Sequence, residues 1–432
     1  MLRAPKPLRI LVVSFRFPPA QSIGAIRVGA VASELTKLGH EVHVLTVTTD
    51  VDADGAQPER APASVTRTRW IGPTRPAKAS AQRQRRSLQA VEAGLAPPDR
   101  SKAFRIVRWV RRNLVWLPDD YFGWAPFAVA EGVRLCRRHQ FDLIFASAWP
   151  VTSLIAGAMI ARRAHLPWVA ELRDLWTGHH YSTPRAHQRG LDRLVEARVL
   201  GSTAGLVTVS DSLARGLRRE FAKPSLGLYT GFSPRTQDDA PRAEERDLVI
   251  AYTGQLYQGK RDPSPLLEAV RMLGGDQSGI RVVVAGPDNA SVLSMARSSG
   301  LESSVVVFPQ LSHAQAVALQ CQADVLLLLL WNTPFETGVV TGKLFEYLSH
   351  DKPVLVIGAP PDSEAVQLVE EHHLGRAGNQ PEEIAEHLEA WRAEKAARGV
   401  VSQPDGADKR DLTREAQAKR LETYLYRLLG RE

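Results

Sequence analysis

The sequence contains very little cysteine, and this scarcity excludes two classes of protein. Its 432 residues include two cysteines, Cys136 and Cys321. They lie far apart, with no CxxC pair and no histidine cluster beside either one. This excludes a disulfide scaffold and a zinc ribbon, and it fits a reducing cytoplasm. We interpret both as core thiols.

Long hydrophobic runs are also missing. The longest, residues 325–331, has seven residues, far fewer than the roughly 20 of a membrane-spanning helix, and it predicts a buried strand. Near the N-terminus, the apolar residues 10–13 are too few for a signal-peptide core and lead into Pro18-Pro19. We therefore expect a protein that is neither secreted nor integral to a membrane.

Metal-binding patterns are weak. Residues 50–54 resemble a DxD motif by chance in a polar loop, and the adjacent pairs His179-His180 and His372-His373 have side chains that diverge on any regular element. We expect no metal ion and no cofactor.

Charge is concentrated in one segment. The chain carries 55 Lys+Arg and 47 Asp+Glu, a net charge of +8, whereas residues 66–112 alone carry 13 basic and two acidic residues, or +11. The rest of the chain is therefore slightly acidic, at −3. One cationic patch is predicted, rather than a protein that is basic throughout.

The second half of this patch, residues 101–116, has helical spacing. Its apolar side chains fall on one face, its basic side chains fall on the other, and Trp109 and Trp116 lie at the boundary. This pattern is typical of a helix that lies on an anionic membrane surface, and it equally fits a surface helix docked on its own domain. No nucleic-acid-binding motif accompanies the patch, and we expect no nucleic-acid partner.

Strand and helix patterns alternate along the chain, which predicts an α/β protein with two doubly wound halves. We place an N-terminal domain at 1–232 with a basic insert at 66–116, a second domain at 247–410, and a C-terminal helix at 411–432. The Pro- and charge-rich stretch 233–246 is the predicted boundary. Ligand sites are expected at the carboxyl ends of the strands, where two such domains can share one cleft.

The loop after the first strand, residues 15–27, lacks a GxGxxG fingerprint. Gly24 can still let a ligand approach backbone amides closely, and Arg27 adds a cation. Ordinary turn chemistry is the competing interpretation.

The corresponding loop of the second half, residues 252–263, contains Gly254 and the adjacent cations Lys260 and Arg261. A lysine supplies a point charge and an arginine supplies paired donors, which together suit a diphosphate. A solvated charge pair is the alternative.

Residues 335–348 hold a glycine-punctuated loop that runs into a helix beginning near Gly342. Its free amides can bind an anion. One turn into the helix, Glu346 can accept hydrogen bonds from two neighbouring sugar hydroxyls, although a lone glutamate on a helix usually faces solvent.

Taken in order, several motifs resemble the family-4 glycosyltransferases over nearly the whole chain. Within that family the similarity is greatest to transferases of bacterial cell-surface polysaccharide and O-antigen. The motifs are Phe17-Pro18-Pro19 with Gly24 and Arg27, Leu38-Gly39-His40-Glu41-Val42, Glu171-Leu172-Arg173-Asp174-Leu175-Trp176, Val209-Ser210, Tyr252-Thr253-Gly254, Ala285-Gly286, residues 342–348, and Lys352-Pro353-Val354.

The resemblance implies a GT-B fold, in which two Rossmann-like domains with parallel sheets face each other across a cleft and a C-terminal helix crosses back to the first domain. It also implies retaining, metal-independent transfer from a nucleotide sugar. Lys260 and Arg261 would hold the diphosphate, which Gly24 approaches from the other domain, and Glu346 would hold the ribose. The base would lie near Gly286 and Pro309-Gln310.

Two positions depart from the family pattern. Many relatives have a glutamate eight residues before the ribose glutamate, where this chain has Gly338, and the nearest acid is Glu336. Where many relatives have a histidine in the first domain, this chain has Arg173 followed by Asp174. We assign catalytic roles to Arg173, Asp174, Glu336, Lys260 and Arg261. The predicted donor contacts are Gly24, Gly254, Lys260, Arg261, Gly286, Gln310, Gly338, Val339, Val340, Lys343 and Glu346.

The sequence thus predicts a cytoplasmic glycosyltransferase of hexosyl or N-acetylhexosaminyl type, peripheral to the membrane if the 101–116 helix binds lipid. Its partners would be a nucleotide-sugar donor and a glycan or lipid-linked acceptor. The alternatives are a nucleotide-sugar 2-epimerase and a catalytically silent scaffold with the same fold.

Overall fold

The structure is a computed structural model. It describes residues 6–20, 22–48, 64–71, 118–177, 186–234, 246–257, 259–287, 289–331 and 337–431. The chain forms two compact units: the first contains residues 1–209, 214–228 and 418–432, and the second contains residues 210–213 and 229–417. Among the described residues, no helix combines the length and the apolar character needed to cross a membrane.

The first unit is built on a seven-stranded parallel sheet with the order β3-β2-β1-β4-β5-β6-β7. Its strands are β1 (Arg9–Val13), β2 (Glu41–Val47), β3 (Ser64–Thr68), β4 (Leu143–Ala148), β5 (Trp168–Leu172), β6 (Gly205–Thr208) and β7 (Ser225–Gly227). Its helices are α1 (Ile23–Lys37), α2 (Ala125–Arg138), α3 (Thr152–Ala164), α4 (Ala186–Gly201) and α5 (Asp211–Phe221), the last of which begins in the second unit.

Both faces of this sheet are covered. Ile10 and Val12 of β1 pack with α1 on one face, whereas Leu11 and Val13 pack with α2 and α3 on the other. Strands buried on both faces need apolar side chains at every position, which explains the near-continuous hydrophobic runs of this parallel sheet.

The last helix, α12 (Arg414–Leu428), also packs on the first unit. Its residues Leu421, Tyr424 and Leu425 join the core on the α1 face. The Tyr424 hydroxyl lies within hydrogen-bonding distance of the carbonyls of Leu206 (3.1 Å) and Pro224 (2.8 Å). A Cβ atom at Gly205 would lie 2.3 Å from this hydroxyl, so the close packing requires glycine there.

The second unit has a six-stranded parallel sheet with the order β10-β9-β8-β11-β12-β13. Its strands are β8 (Leu248–Thr253), β9 (Ile280–Ala285), β10 (Val305–Phe308), β11 (Val325–Leu329), β12 (Val354–Ile357) and β13 (Gly375–Ala377). Its helices are α6 (Ser264–Met272), α7 (Asn289–Ser298), α8 (His313–Gln322), α9 (Gly342–Leu348), α10 (Glu364–Glu371) and α11 (Pro381–Arg398).

Local capping sets where the helices near the candidate site begin. Thr341 caps α9 by accepting the Lys343 N–H at its hydroxyl. Ser312 and Gln315 form a reciprocal capping box at the start of α8. Each cap satisfies backbone donors that would otherwise have no partner inside the helix.

The predicted α/β fold with parallel sheets is confirmed, and the apolar run at 325–331 contains the buried strand β11. No prediction from the sequence covers helices α2, α5, α7, α10 and α11. The first three residues of the predicted insert, 66–68, belong to β3, and the basic segment 101–116 lies outside the described residues. The cysteines are half-buried rather than in the centre of a core, and burial raises the pKa of the Cys136 thiol to about 11.

His40 gives the first unit an acid-sensitive contact. Its Nδ1 accepts the Leu8 N–H at 3.1 Å, and its Nε2 lies 3.0 Å from the Glu422 carboxylate on α12. Burial lowers the pKa of His40 below its usual 6.5, and Glu422 offsets part of this lowering. The pKa of His40 is lower in the folded state than in the unfolded state. The contribution of neutral His40 to the free energy of unfolding is therefore complete above about pH 6.5, and it is lost as pH falls through the folded-state pKa.

We expect His40→Asn, which keeps an acceptor for the Leu8 N–H but does not titrate, to reduce this acid sensitivity. Hydrogen exchange of peptides from β1 and α12 at about pH 7.5 and pH 5 measures it. In the native protein, protection should fall at the lower pH more than in the variant. Equal losses of protection in the native protein and in the variant would contradict the assignment of the acid sensitivity to His40.

Candidate functional site

The carboxyl edge of the first sheet brings Arg173 against Gly24. Arg173 follows β5, and its guanidinium donates from Nε to the Ala148 carbonyl (2.5 Å) and from Nη2 to the Trp149 carbonyl (3.1 Å). A Cβ atom on Gly24 would lie 2.0 Å from Arg173 Nη1. Burial lowers the pKa of Arg173, but an arginine stays charged at any pH at which the protein is folded. These two predicted site residues are therefore brought together.

A buried ion pair lies beside them. Arg27 of α1 donates from Nε to Glu171 Oε1 at 2.9 Å, and the two side chains are 3% and 0% exposed. Arg27 also donates to the Leu228 carbonyl at 2.7 Å, and Ser147 donates to Glu171 Oε2 at 2.5 Å. The sequence interpretation of Arg27 as a cation open to ligand is therefore wrong, since its charge is already held by Glu171.

Sequence reasoning missed a second polar group of the first unit. Asp119 accepts hydrogen bonds from the Thr152 amide (2.8 Å) and hydroxyl (2.6 Å) and from the Tyr121 amide (2.8 Å). Arg16 donates to the Tyr121 hydroxyl at 3.2 Å. No local pattern marks Asp119, because its partner on α3 is 33 residues away. Asp174, by contrast, is exposed just after Arg173.

At the carboxyl edge of the second sheet, the backbones of Gly254 and Gly286 nearly touch. A Cβ atom on Gly286 would lie 2.0 Å from the Gly254 carbonyl oxygen, and the Gly254 N–H donates to the Ala285 carbonyl at 2.8 Å. Gly254 has a φ of +154°, in the region that favours glycine. Gln310, which follows the neighbouring strand β10, is exposed.

Lys343 and Glu346 of α9 lie near Thr253, at the end of β8. Lys343 Nζ lies 3.4 Å from Thr253 Oγ1, and Gln320 Nε2 lies 2.7 Å from the same oxygen and 2.6 Å from Glu346 Oε1. Burial lowers the pKa of Lys343, Glu346 raises it in part, and the positive charge of Arg261 lowers it further. Gln320 is 0% exposed and was not predicted from the sequence.

Lys260 and Arg261 lie on the loop after β8, as predicted. The exposed Lys260 places Nζ 4.4 Å from the ring centroid of Trp331. Arg261 places its guanidinium 4.8 Å from the Tyr257 ring and within 3.5 Å of the Tyr252 hydroxyl. The aromatic faces hold both cations in place through cation–π attraction.

Three further predicted residues lie on the loop before α9. Gly338 and Val340 are buried, and Val339 is half-buried. The Gly338 carbonyl accepts a hydrogen bond from the Ser210 hydroxyl at 2.6 Å, so this carbonyl is held by the protein itself. Glu336 lies outside the described residues. Across the described ranges, no group of three His, Cys, Asp or Glu side chains is arranged to hold a metal ion.

With this geometry established, comparison with solved structures identifies the fold as GT-B. Anabaena HepE in complex with UDP-glucose superposes with a TM-score of 0.59 at 13% identity, over 97% of this chain and 100% of the other. Sucrose-phosphate synthase from Thermosynechococcus elongatus gives 0.62 at 14% identity, over 99% and 100%. A putative UDP-N-acetylglucosamine 2-epimerase from Listeria monocytogenes gives 0.53 at 11% identity, over 99% and 98%.

Residues 24–226 match the family model described as a Glycosyl transferase 4-like domain. The matched range covers just under half of the chain, and it includes Gly24, Arg27, Glu171 and Arg173. No curated protein matches the sequence.

The Arg27–Glu171 pair allows a direct test of its structural role. Arg27→Met leaves a buried carboxylate without its countercharge, and we expect it to lower the free energy of unfolding by about 3–5 kcal/mol in urea denaturation. Adding Glu171→Leu should recover most of the loss. The matched control is Arg9→Met, since Arg9 pairs with Glu41 at 3.0 Å on the surface, with the side chains 47% and 69% exposed, and should cost under about 1 kcal/mol. Equal losses in both variants would refute the burial argument.

Proposed function

We propose that this protein is a retaining, metal-independent glycosyltransferase that moves a sugar from a nucleotide-sugar donor to a hydroxyl of a glycan or lipid-linked acceptor. The observation that carries the proposal is the chemistry gathered at one sheet edge of the second unit. Lys260, Arg261 and Lys343 are cations, and Glu346 is an acceptor one turn into α9. The transferred sugar would be a hexose or an N-acetylhexosamine, and the process would be bacterial surface polysaccharide synthesis.

In the proposed reaction, the bond between the anomeric carbon and the diphosphate oxygen breaks as the acceptor hydroxyl forms a new bond on the same face of the sugar. The acceptor proton passes to a phosphate oxygen of the leaving nucleoside diphosphate. Lys260 and Arg261 offset the negative charge that develops on this leaving group, and the amides around residues 338–342 add donors. Glu346 binds the ribose hydroxyls. No strong enzyme base is needed.

The donor class is supported by HepE, which has the same fold and was solved with UDP-glucose. In the first unit, we propose that Gly24 approaches the diphosphate and that Arg173 and Asp174 act on the transferred sugar. The tight packing of Arg173 on Gly24 supports a joint role. Glu336 would replace the donor-sugar glutamate that many family-4 glycosyltransferases have eight residues before the ribose glutamate. The donor contacts would be completed by Gly254, Gly286, Gln310, Val339 and Val340.

A nucleotide-sugar 2-epimerase is the alternative enzyme, because a putative epimerase of Listeria monocytogenes shares the fold with a TM-score of 0.53. Product analysis distinguishes the two activities. An epimerase converts its nucleotide sugar without an acceptor, whereas a transferase releases nucleoside diphosphate and requires a hydroxyl acceptor. A silent scaffold would bind donor without turnover.

We expect Lys260→Ala combined with Arg261→Ala to weaken binding of a nucleoside diphosphate by about 2–4 kcal/mol, because two charge-assisted contacts are removed. A thermal-shift screen of UDP-, GDP-, dTDP- and ADP-sugars selects the donor, and calorimetry with the matching diphosphate measures the loss. Arg137→Ala with Arg138→Ala is the control, since these adjacent arginines are exposed on α2. Unchanged affinity in the Lys260/Arg261 variant would overturn the phosphate assignment.

We further propose that residues 101–116 dock on an anionic membrane, where a lipid-linked acceptor would lie. Support comes from the sequence pattern alone. Each basic residue near such a surface contributes about 1 kcal/mol, an attraction that salt weakens.

A triple variant should be released from anionic liposomes at low salt, while its donor hydrolysis in solution is unchanged. It carries Arg105→Glu, Arg108→Glu and Arg112→Glu. Flotation with phosphatidylserine-containing vesicles at low and high salt measures this. A native protein that stays in the soluble fraction at low salt would refute the membrane role.

A further inference from the structure

The contacts of Gln320 determine which end of its amide faces which neighbour. A carboxylate oxygen can only accept hydrogen bonds, so the Gln320 atom 2.6 Å from Glu346 Oε1 must be the amide nitrogen. The same nitrogen lies 2.7 Å from Thr253 Oγ1. Its two hydrogens are therefore directed at Glu346 and Thr253, one at each.

His350 holds the other end of this amide. Its Nε2 lies 2.8 Å from Gln320 Oε1, and because a carbonyl oxygen only accepts, Nε2 must carry a hydrogen. A flipped amide would place an oxygen against the Glu346 carboxylate and an NH₂ group against the His350 N–H. The contact with Glu346 would then be repulsive, and His350 would have to change tautomer to accept from the NH₂ group, so a single orientation of Gln320 is favoured.

This arrangement controls the direction of the Glu346 carboxylate. Among the described residues, Gln320 is the one that donates a hydrogen bond to it. The donor is neutral, so it fixes Oε1 without cancelling the charge of the carboxylate. A side chain with three rotatable bonds is thereby held in one position before any ligand arrives, which reduces the entropy lost on binding.

We propose that Gln320 is a positioning residue that aims Glu346 at the neighbouring hydroxyls of a ribose, and so makes the site selective for ribonucleotides over nucleotides that lack those hydroxyls. This inference rests on the proposed function, in which Glu346 binds the donor ribose. The selectivity arises because a fixed carboxylate pairs with two hydroxyls at once, whereas a freely rotating one must be ordered first.

The test compares UDP, GDP and ADP, each paired with its 2′,3′-dideoxy form, by calorimetry on the full chain. The native protein should prefer the ribose form of the nucleotide it binds. Gln320→Met keeps the length of the side chain but removes its hydrogen bonds, and it should weaken the ribose form about tenfold while the dideoxy form changes less than about twofold. His350→Leu, which removes only the group that orients the amide, should reduce the same preference to a smaller extent.

Gln417→Met is the matched control. Gln417 is also buried, at 6% exposed, and it makes two hydrogen bonds, to the Tyr229 amide (2.9 Å) and the Asp411 carbonyl (2.7 Å). This variant should leave the ribose preference intact. In addition, Gln320→Met should have no further effect on the preference when Glu346→Ala is already present, because Gln320 acts through Glu346.

The outcomes separate the two proposals. A native protein that binds neither these six nucleotides nor dTDP overturns the proposed function, whereas one that binds dTDP alone overturns the positioning role. A protein that binds a nucleotide and keeps its ribose preference in Gln320→Met, or that loses affinity for both forms equally, overturns the positioning role while the donor site stands. A native protein that binds both forms equally also overturns the positioning role.

Discussion

Burial of both faces of each sheet is the constraint on which the rest of this structure depends. In β1 the side chains of residues 10–13 are all buried, and in β11 those of residues 325–329 are as well. Strands of this kind have no face left for polar chemistry, so functional groups must lie where the strands end. The predicted site residues Gly24, Arg173, Gly254 and Gly286 accordingly follow parallel strands at a carboxyl edge.

The two units handle charge at these edges in different ways. In the first unit, Arg27 is neutralised by Glu171, and Arg173 is bound by two backbone carbonyls. In the second unit, burial lowers the pKa of Lys343. An anion bound next to Lys343 would compensate for the water that this ammonium has lost. The carboxylate of Glu346 already supplies part of this compensating negative charge.

Strands such as β11 were predictable because an apolar run such as residues 325–331 is itself the physical cause of a buried strand. No prediction covered the short strands β3, β7 and β13. Helix α11 was missed because it is mostly polar, and its buried residues are Ile384, Ala385, Leu388 and Trp391. Within the candidate site, Lys260 and Arg261 lie in a recognisable loop, and Glu346 lies in the helix that follows another such loop. Gln320 carries no such signal, because a glutamine near the end of a helix matters only through residues 67, 26 and 30 positions away. Arg27 was misinterpreted for the same reason, since Glu171 lies 144 residues further along the chain.

The position of α12 affects the order in which the chain can fold. Leu421, Tyr424 and Leu425 complete the apolar face against α1 and β1, yet they are synthesised after the whole of the second unit. During translation, at about 5–20 residues per second, the first unit therefore emerges with part of its core uncovered, whereas the second unit has every strand and core helix before α12 exists. The ribosome thus releases a chain whose earlier half acquires its final packing last.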